Sequence, residues 1–103
     1  MTLEKKFEQE MVDIYMTAKR ECGYVASRFL QMISTQGGVA TAKQLISRSG
    51  GTDGFTTLWE HGRLDLSIEA HVLKIEYISL FTDEERQQCK ERLEQFGYNT
   101  KLL

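Results

Sequence analysis

The side chains best able to do chemistry fall in one stretch, Gly50–Leu73, which reads GGTDGFTTLWEHGRLDLSIEAHVL. Asp53, Glu60, His61 and Asp65 are acid and base groups that could surround a cleft. A hydrolase would also need a nucleophile or a metal, and the Ser and Thr residues on offer are those typical of caps and turns. His61, Asp65 and Glu69 recur at steps of four, which would place three metal-ligating types on one helix face. Gly62 and the cap-forming Ser67 interrupt any single helix through them. His61 and His71 stand ten apart, with no His-x3-His and no Cys/His cluster. We therefore expect no metal, no cofactor and no catalysis. Arg63, Asp65 and Ser67 read more simply as a structural link, with a local ion pair followed by a helix cap.

The loop Gly50-Gly51-Thr52-Asp53-Gly54 resembles a phosphate cradle only in its glycines, because the following Lys is missing and no strand precedes it. A turn is the expectation. The short helices on either side invite comparison with a helix-turn-helix, in which Lys19, Arg20, Arg28, Lys43 and Arg48 would meet phosphates. The five-residue link is looser than the usual turn, and no Arg/Asn/Gln cluster marks a recognition helix. Cys22 and Cys89 are far apart and outside any CxxC, so both read as buried reduced thiols.

Amphipathic helices must position these groups. Leu3, Phe7, Met11, Ile14, Ala18 and Cys22 follow at steps of three and four, a stripe along a long helix over 2–22 that ends at Gly23. Val12, Tyr15 and Met16 widen the stripe. A second helix is expected over Tyr24–Gln36, stopped by Gly37-Gly38, and a third near Val39–Arg48. Phe55, Leu58 and Trp59 share one face of a short fourth helix that ends at Gly62. Ser67 caps a fifth helix, reaching about Ile75. The run Tyr77–Phe81 has strand-like composition, but no second strand could pair with it, so an irregular link is expected. Thr82-Asp83-Glu84-Glu85 is a capping box opening a last helix, and Gly97-Tyr98 reads as its Schellman ending. Residues 99–103 are expected to fray.

Several strings together resemble a small bacterial family of helical domains. They are Gly37-Gly38-Val39, Thr41-Ala42-Lys43, Asp53-Gly54-Phe55-Thr56, Leu58-Trp59-Glu60, Gly62-Arg63-Leu64-Asp65-Leu66-Ser67, Glu69 and Leu73. Leu80-Phe81-Thr82-Asp83-Glu84-Glu85 and Gly97-Tyr98 fit as well, so the likeness spans roughly residues 23–98. The resemblance implies a compact helical domain of bacterial origin, found as short proteins and as a module of larger ones. It implies no activity, cofactor or site residue.

The 103 residues suit one domain with a modest core. With 41% hydrophobic and 27% charged residues, the composition is that of an ordinary globular chain, and it contains no proline. Net charge is −2, which leaves no bulk footprint for nucleic acid or anionic membrane. Residues 1–50 hold seven Lys/Arg against five Asp/Glu, and residues 51–103 six against ten. No stretch approaches the roughly 20 apolar residues of a membrane span, and a cytoplasmic protein is expected.

The expected architecture is an all-α bundle of five or six helices in a single domain, 1–103. The long helix 2–22 would precede a compact part over 23–98. Phe29, Leu45, Leu58, Trp59, Leu66, Val72, Leu93 and Phe96 should form one core cluster. The expected function is protein–protein interaction or self-association, without enzymatic activity. Phe7, Met11, Ile14 and Tyr15 would offer the partner surface of a homodimer, because the stripe is wider than one side of a small bundle needs. The alternative is an accessory nucleic-acid-binding module.

Overall fold

The computed structural model describes residues 2–47 and 53–102. Within them the fold is all-α, and no strand occurs among the described residues. The helices are α1 (Leu3–Cys22), α2 (Ser27–Gln36), α3 (Gly38–Ile46), α4 (Asp53–Glu60), α5 (Ile68–Val72) and α6 (Asp83–Gln95). Three 3₁₀ turns join or follow them, at Leu64–Leu66, Ile75–Leu80 and Thr100–Leu102. The expected long first helix is present. Arg48, Gly50, Gly51 and Thr52 of the sequence reading lie outside the described residues, as does the side chain of Asp53.

Local signals account for most helix ends. Thr2 Oγ1 accepts from Lys5 N at 3.1 Å and starts α1, and Gly23 ends it in the left-handed region at φ 67°. After Gly62, Arg63 N donates to Leu58 O at 2.8 Å and Gly62 N to Trp59 O at 3.0 Å, a Schellman pair. Tyr98 N to Leu93 O at 2.9 Å and Gly97 N to Glu94 O at 3.0 Å repeat it at the end of α6. Thr82 and Glu85 form both bonds of the expected capping box.

Other ends differ from the sequence reading. α2 begins at Ser27 rather than Tyr24, and Ala26 before it provides no side-chain cap. α5 stops at Val72, and the run expected to be irregular winds as the 3₁₀ turn Ile75–Leu80. The start of α3 is held from a distance. Glu8 of α1 accepts from Gly38 N at 3.0 Å, and a Cβ at Gly38 would sit 2.6 Å from Glu8 Cα. Only glycine allows this approach between α1 and α3.

The core forms two clusters where one was expected. The first centres on Phe7, Met11, Ile46, Val72, Tyr77 and Cys89. The second holds Ala18, Phe55, Leu58, Leu64, Ala70 and Leu93. Helix α1 runs through both. The expectation that Phe7, Met11, Ile14 and Tyr15 form a partner surface is overturned, since none is more than 8% exposed. Each remaining helix is short, yet α2, α3, α5 and the Ile75–Leu80 turn together cover the stripe that a single neighbour could not.

Trp59 is also misplaced by the sequence reading, being 47% exposed. Phe55 and Leu58 take the inward face of α4. Trp59 lies at its edge, edge-on to Phe96 with centroids 5.4 Å apart. Cys89 is fully buried, and burial pushes its thiol up to about 12, which makes it inert as a nucleophile. Cys22 is half-buried, and both thiols are free.

Candidate functional site

The Arg63–Ser67 stretch is tied down by ion pairs at one end and by a helix cap at the other. Arg63 meets both Asp65 oxygens, Nε to Oδ1 at 3.1 Å and Nη2 to Oδ2 at 3.2 Å. Its Nη1 reaches Glu21 of α1 at 2.7 Å. The bidentate contact with Asp65 and the one with Glu21 hold the guanidinium well above its usual range. Ser67 donates to Leu64 O at 2.6 Å and accepts from Ala70 N at 3.1 Å, so one buried hydroxyl closes the 3₁₀ turn and caps α5.

Beside this link lies a hollow ringed by titratable side chains that sequence reading did not find. Glu10 of α1 gathers three donors from further along the chain. His71 Nδ1 lies 3.0 Å from Oε1 and Lys74 Nζ 2.7 Å from it, while the Tyr77 hydroxyl donates to Oε2. A carboxylate accepts only, so the neutral His71 ring carries its proton on Nδ1. Burial, and next the Lys74 ammonium, hold His71 below its usual value despite Glu10. Asp13, Thr17, Asp65 and Tyr98 complete the wall of a hollow of about 420 Å³. Burial, with Asp65 adding to it, raises the Tyr98 phenol. An imidazole steered by a carboxylate at the edge of a cavity is the orienting half of an acid–base pair. No Ser or Cys joins it among the residues of the wall.

Ile14 and Leu66 line both this hollow and a second, apolar one. The second is an open groove of about 510 Å³ between α1, α2, α4 and α5. Tyr15, Phe29, Met32, Leu45, Phe55 and Ile68 supply its wall. Val25, 57% exposed, and Arg28 also line it. Arg28 makes no ion pair among the described residues. Among the described residues the one carboxylate of the lining, Glu69, is already bound to Arg92 at 2.7 Å. At Gly54 a Cβ would sit 3.1 Å from the Tyr24 hydroxyl, so the missing side chain lets Tyr24 lie against the start of α4.

The other sequence candidates are scattered. Glu60 and His61 are exposed, and His61 Nδ1 bonds only back to Thr57 O at 2.9 Å. Among the described residues no group of His, Cys, Asp and Glu is arranged to hold a metal ion. Lys19, Arg20 and Arg28 are exposed. Lys43 is engaged by Glu85 at 2.7 Å and lies 5.2 Å from the Phe81 ring centroid, so it is not free for a phosphate. Nothing in the sequence marked Glu10, Lys74 and Tyr77 as residues that would meet. Scans of family models, of curated proteins and of solved structures each found no match to this chain.

Proposed function

We propose that this domain works by binding another protein, receiving an amphipathic segment of its partner in the groove between α1, α2, α4 and α5. The observation that carries this is the open apolar lining of half-buried Phe29 and Met32 beside an outward-facing Val25. Aromatic and Met side chains in a concave, largely apolar surface suit helix-in-groove recognition. Arg28 lines the groove and makes no ion pair among the described residues, so the partner segment carries a carboxylate beside its apolar anchors. In this reading the domain is not an enzyme. It belongs with the bacterial helical family its motifs resemble, and it acts in the cytoplasm. Among the described residues no helix is long and apolar enough to cross a membrane.

A photo-crosslinking residue at Val25, compared with one at Lys90 on the exposed face of α6, tests the proposal in native cells. One discrete adduct is expected at Val25 and none at Lys90, with Arg28→Glu weakening it. Equal labelling at the two positions, or an adduct unchanged by both Arg28→Glu and Met32→Asp, overturns the groove as the docking site.

A further inference from the structure

The hollow beside Glu10 lies across Ile14 and Leu66 from the groove, and a site there does not depend on the reading given to that groove. Its wall has a surplus of acceptors. Glu10 and Asp13 come from α1 and Asp65 from the Leu64–Leu66 turn, while Thr17 and Tyr98 add hydroxyls. Lys74 is the one ammonium in that wall, and it is spent on Glu10. The remaining donors nearby are partly committed: Gln9 Nε2 donates to Asp13 at 3.0 Å, and Arg63 grips Asp65. His71 is the independent sign. Its side chain is only 10% exposed and lines the hollow, with Nδ1–H given to Glu10. Nε2 is then a lone-pair acceptor, and the hydrogen bond His71 makes among the described residues is through Nδ1, not Nε2.

The arrangement of these acceptors selects among cations. Both Glu10 oxygens already take donors, and both Asp65 oxygens face Arg63. Asp13 Oδ1 takes the Gln9 amide, so no carboxylate of the wall keeps two free oxygens for a planar guanidinium fork. Single acceptors on separate side chains suit a compact ammonium with three independent N–H donors. Ile14, Leu66 and Ala70 provide apolar wall for a hydrocarbon stem.

We propose that this hollow binds a primary alkylammonium group, neutralised by Asp13 and donating one N–H to Nε2 of His71. The stem lies along Ile14, Leu66 and Ala70. The same chemistry is offered by a free alkylamine and by a lysine side chain of a partner protein.

Titration of the full chain, followed through its backbone amide NMR signals at neutral pH, tests the site and its source. The probes are N-acetyl-lysine N-methylamide, 1,4-diaminobutane and the uncharged N-acetyl-norleucine N-methylamide. Saturable shifts at Ala70, His71 and Tyr98 are expected with the two amines and none with the norleucine compound. Tighter binding of the lysine compound assigns the ligand to a protein side chain, and tighter binding of the diamine to a free amine. Asp13→Asn, on the exposed surface, should keep the signal dispersion and weaken either amine by roughly two- to fivefold, the scale of a solvent-accessible ion pair. Glu91→Gln on α6 should leave affinity unchanged. No saturable shift, equal shifts from the norleucine compound, or parental affinity in Asp13→Asn overturns the proposal.

Discussion

Arg92 Nη1 lies 2.7 Å from Glu69 Oε2, with the two side chains 6% and 5% exposed, and Arg92 Nη2 also donates to Ile46 O at 3.2 Å. One guanidinium thus joins α6 to α5 and satisfies a carbonyl at the end of α3. Arg92→Met should destabilise the protein by about 3–5 kcal/mol, because it strands the Glu69 carboxylate in the interior. The double variant Arg92→Met, Glu69→Leu should recover much of that loss, since apolar pairs of similar volume replace buried ion pairs without an orphaned charge. Urea unfolding of the parent, Arg92→Met, Glu69→Leu and the double variant checks the cycle. A double variant as unstable as Arg92→Met would show that the charge is not the cause.

Leu93 and Trp59 should separate what is core from what only looks like core. Leu93 is fully buried in the second cluster, so Leu93→Ala should cost about 2–5 kcal/mol. Trp59→Ala removes a half-exposed ring whose named contact is Phe96, so its urea midpoint should lie much nearer the parent. A larger shift for Trp59→Ala than for Leu93→Ala would contradict the placement of α4.

In the link between α4 and α5, the hydroxyl should matter more than the charges. Ser67 is 2% exposed and holds two backbone groups, so Ser67→Ala should cost about 1–2 kcal/mol. Asp65 is about half exposed, and its pair with Arg63 is open to water and salt. Asp65→Ala should leave the urea midpoint close to the parent. The reverse order of effects would make the ion pair the true fastener.

Stability should fall with acid in a step that belongs to His71. Its folded value lies below the unfolded 6.5, so the folded state favours the neutral ring. The stabilising contribution is complete above 6.5 and is lost as pH drops through the lowered folded value. The charges facing it are Glu10 from α1, Asp65 from the Leu64–Leu66 turn, and Lys74 and Glu76 from beyond α5. Glu76 and Glu85 are themselves held below 4.5, Glu76 chiefly by Lys6 and Glu85 by Lys43 and the Thr82 cap against burial, so their loss belongs to a more acidic range. Urea midpoints measured against pH should show the His71 step in the parent and not in His71→Asn. A step that survives the substitution would place it on another group.

The elements whose partners lie within a turn of one another were legible in the sequence alone. Thr82 finds Glu85, Ser67 finds Ala70, and Gly97 lets Tyr98 reach Leu93, all through bonds that need only the local chain. The same holds for the Arg63–Asp65 pair. Helix number and the long first helix follow from those stops and from apolar spacing. Burial is different, because it sums over neighbours brought from every part of the chain. The stripe Phe7, Met11, Ile14 and Tyr15 looked free for a partner until three short helices and a 3₁₀ turn closed over it. Trp59 looked buried until Phe55 and Leu58 took the inward face. Glu8 beneath Gly38, and Glu10 among His71, Lys74 and Tyr77, pair residues remote in sequence. Their types carry no mark of the partner, since a carboxylate on a long helix reads as solvated surface until packing takes water away. Tertiary structure alone therefore decided where both hollows lie and which charges face them.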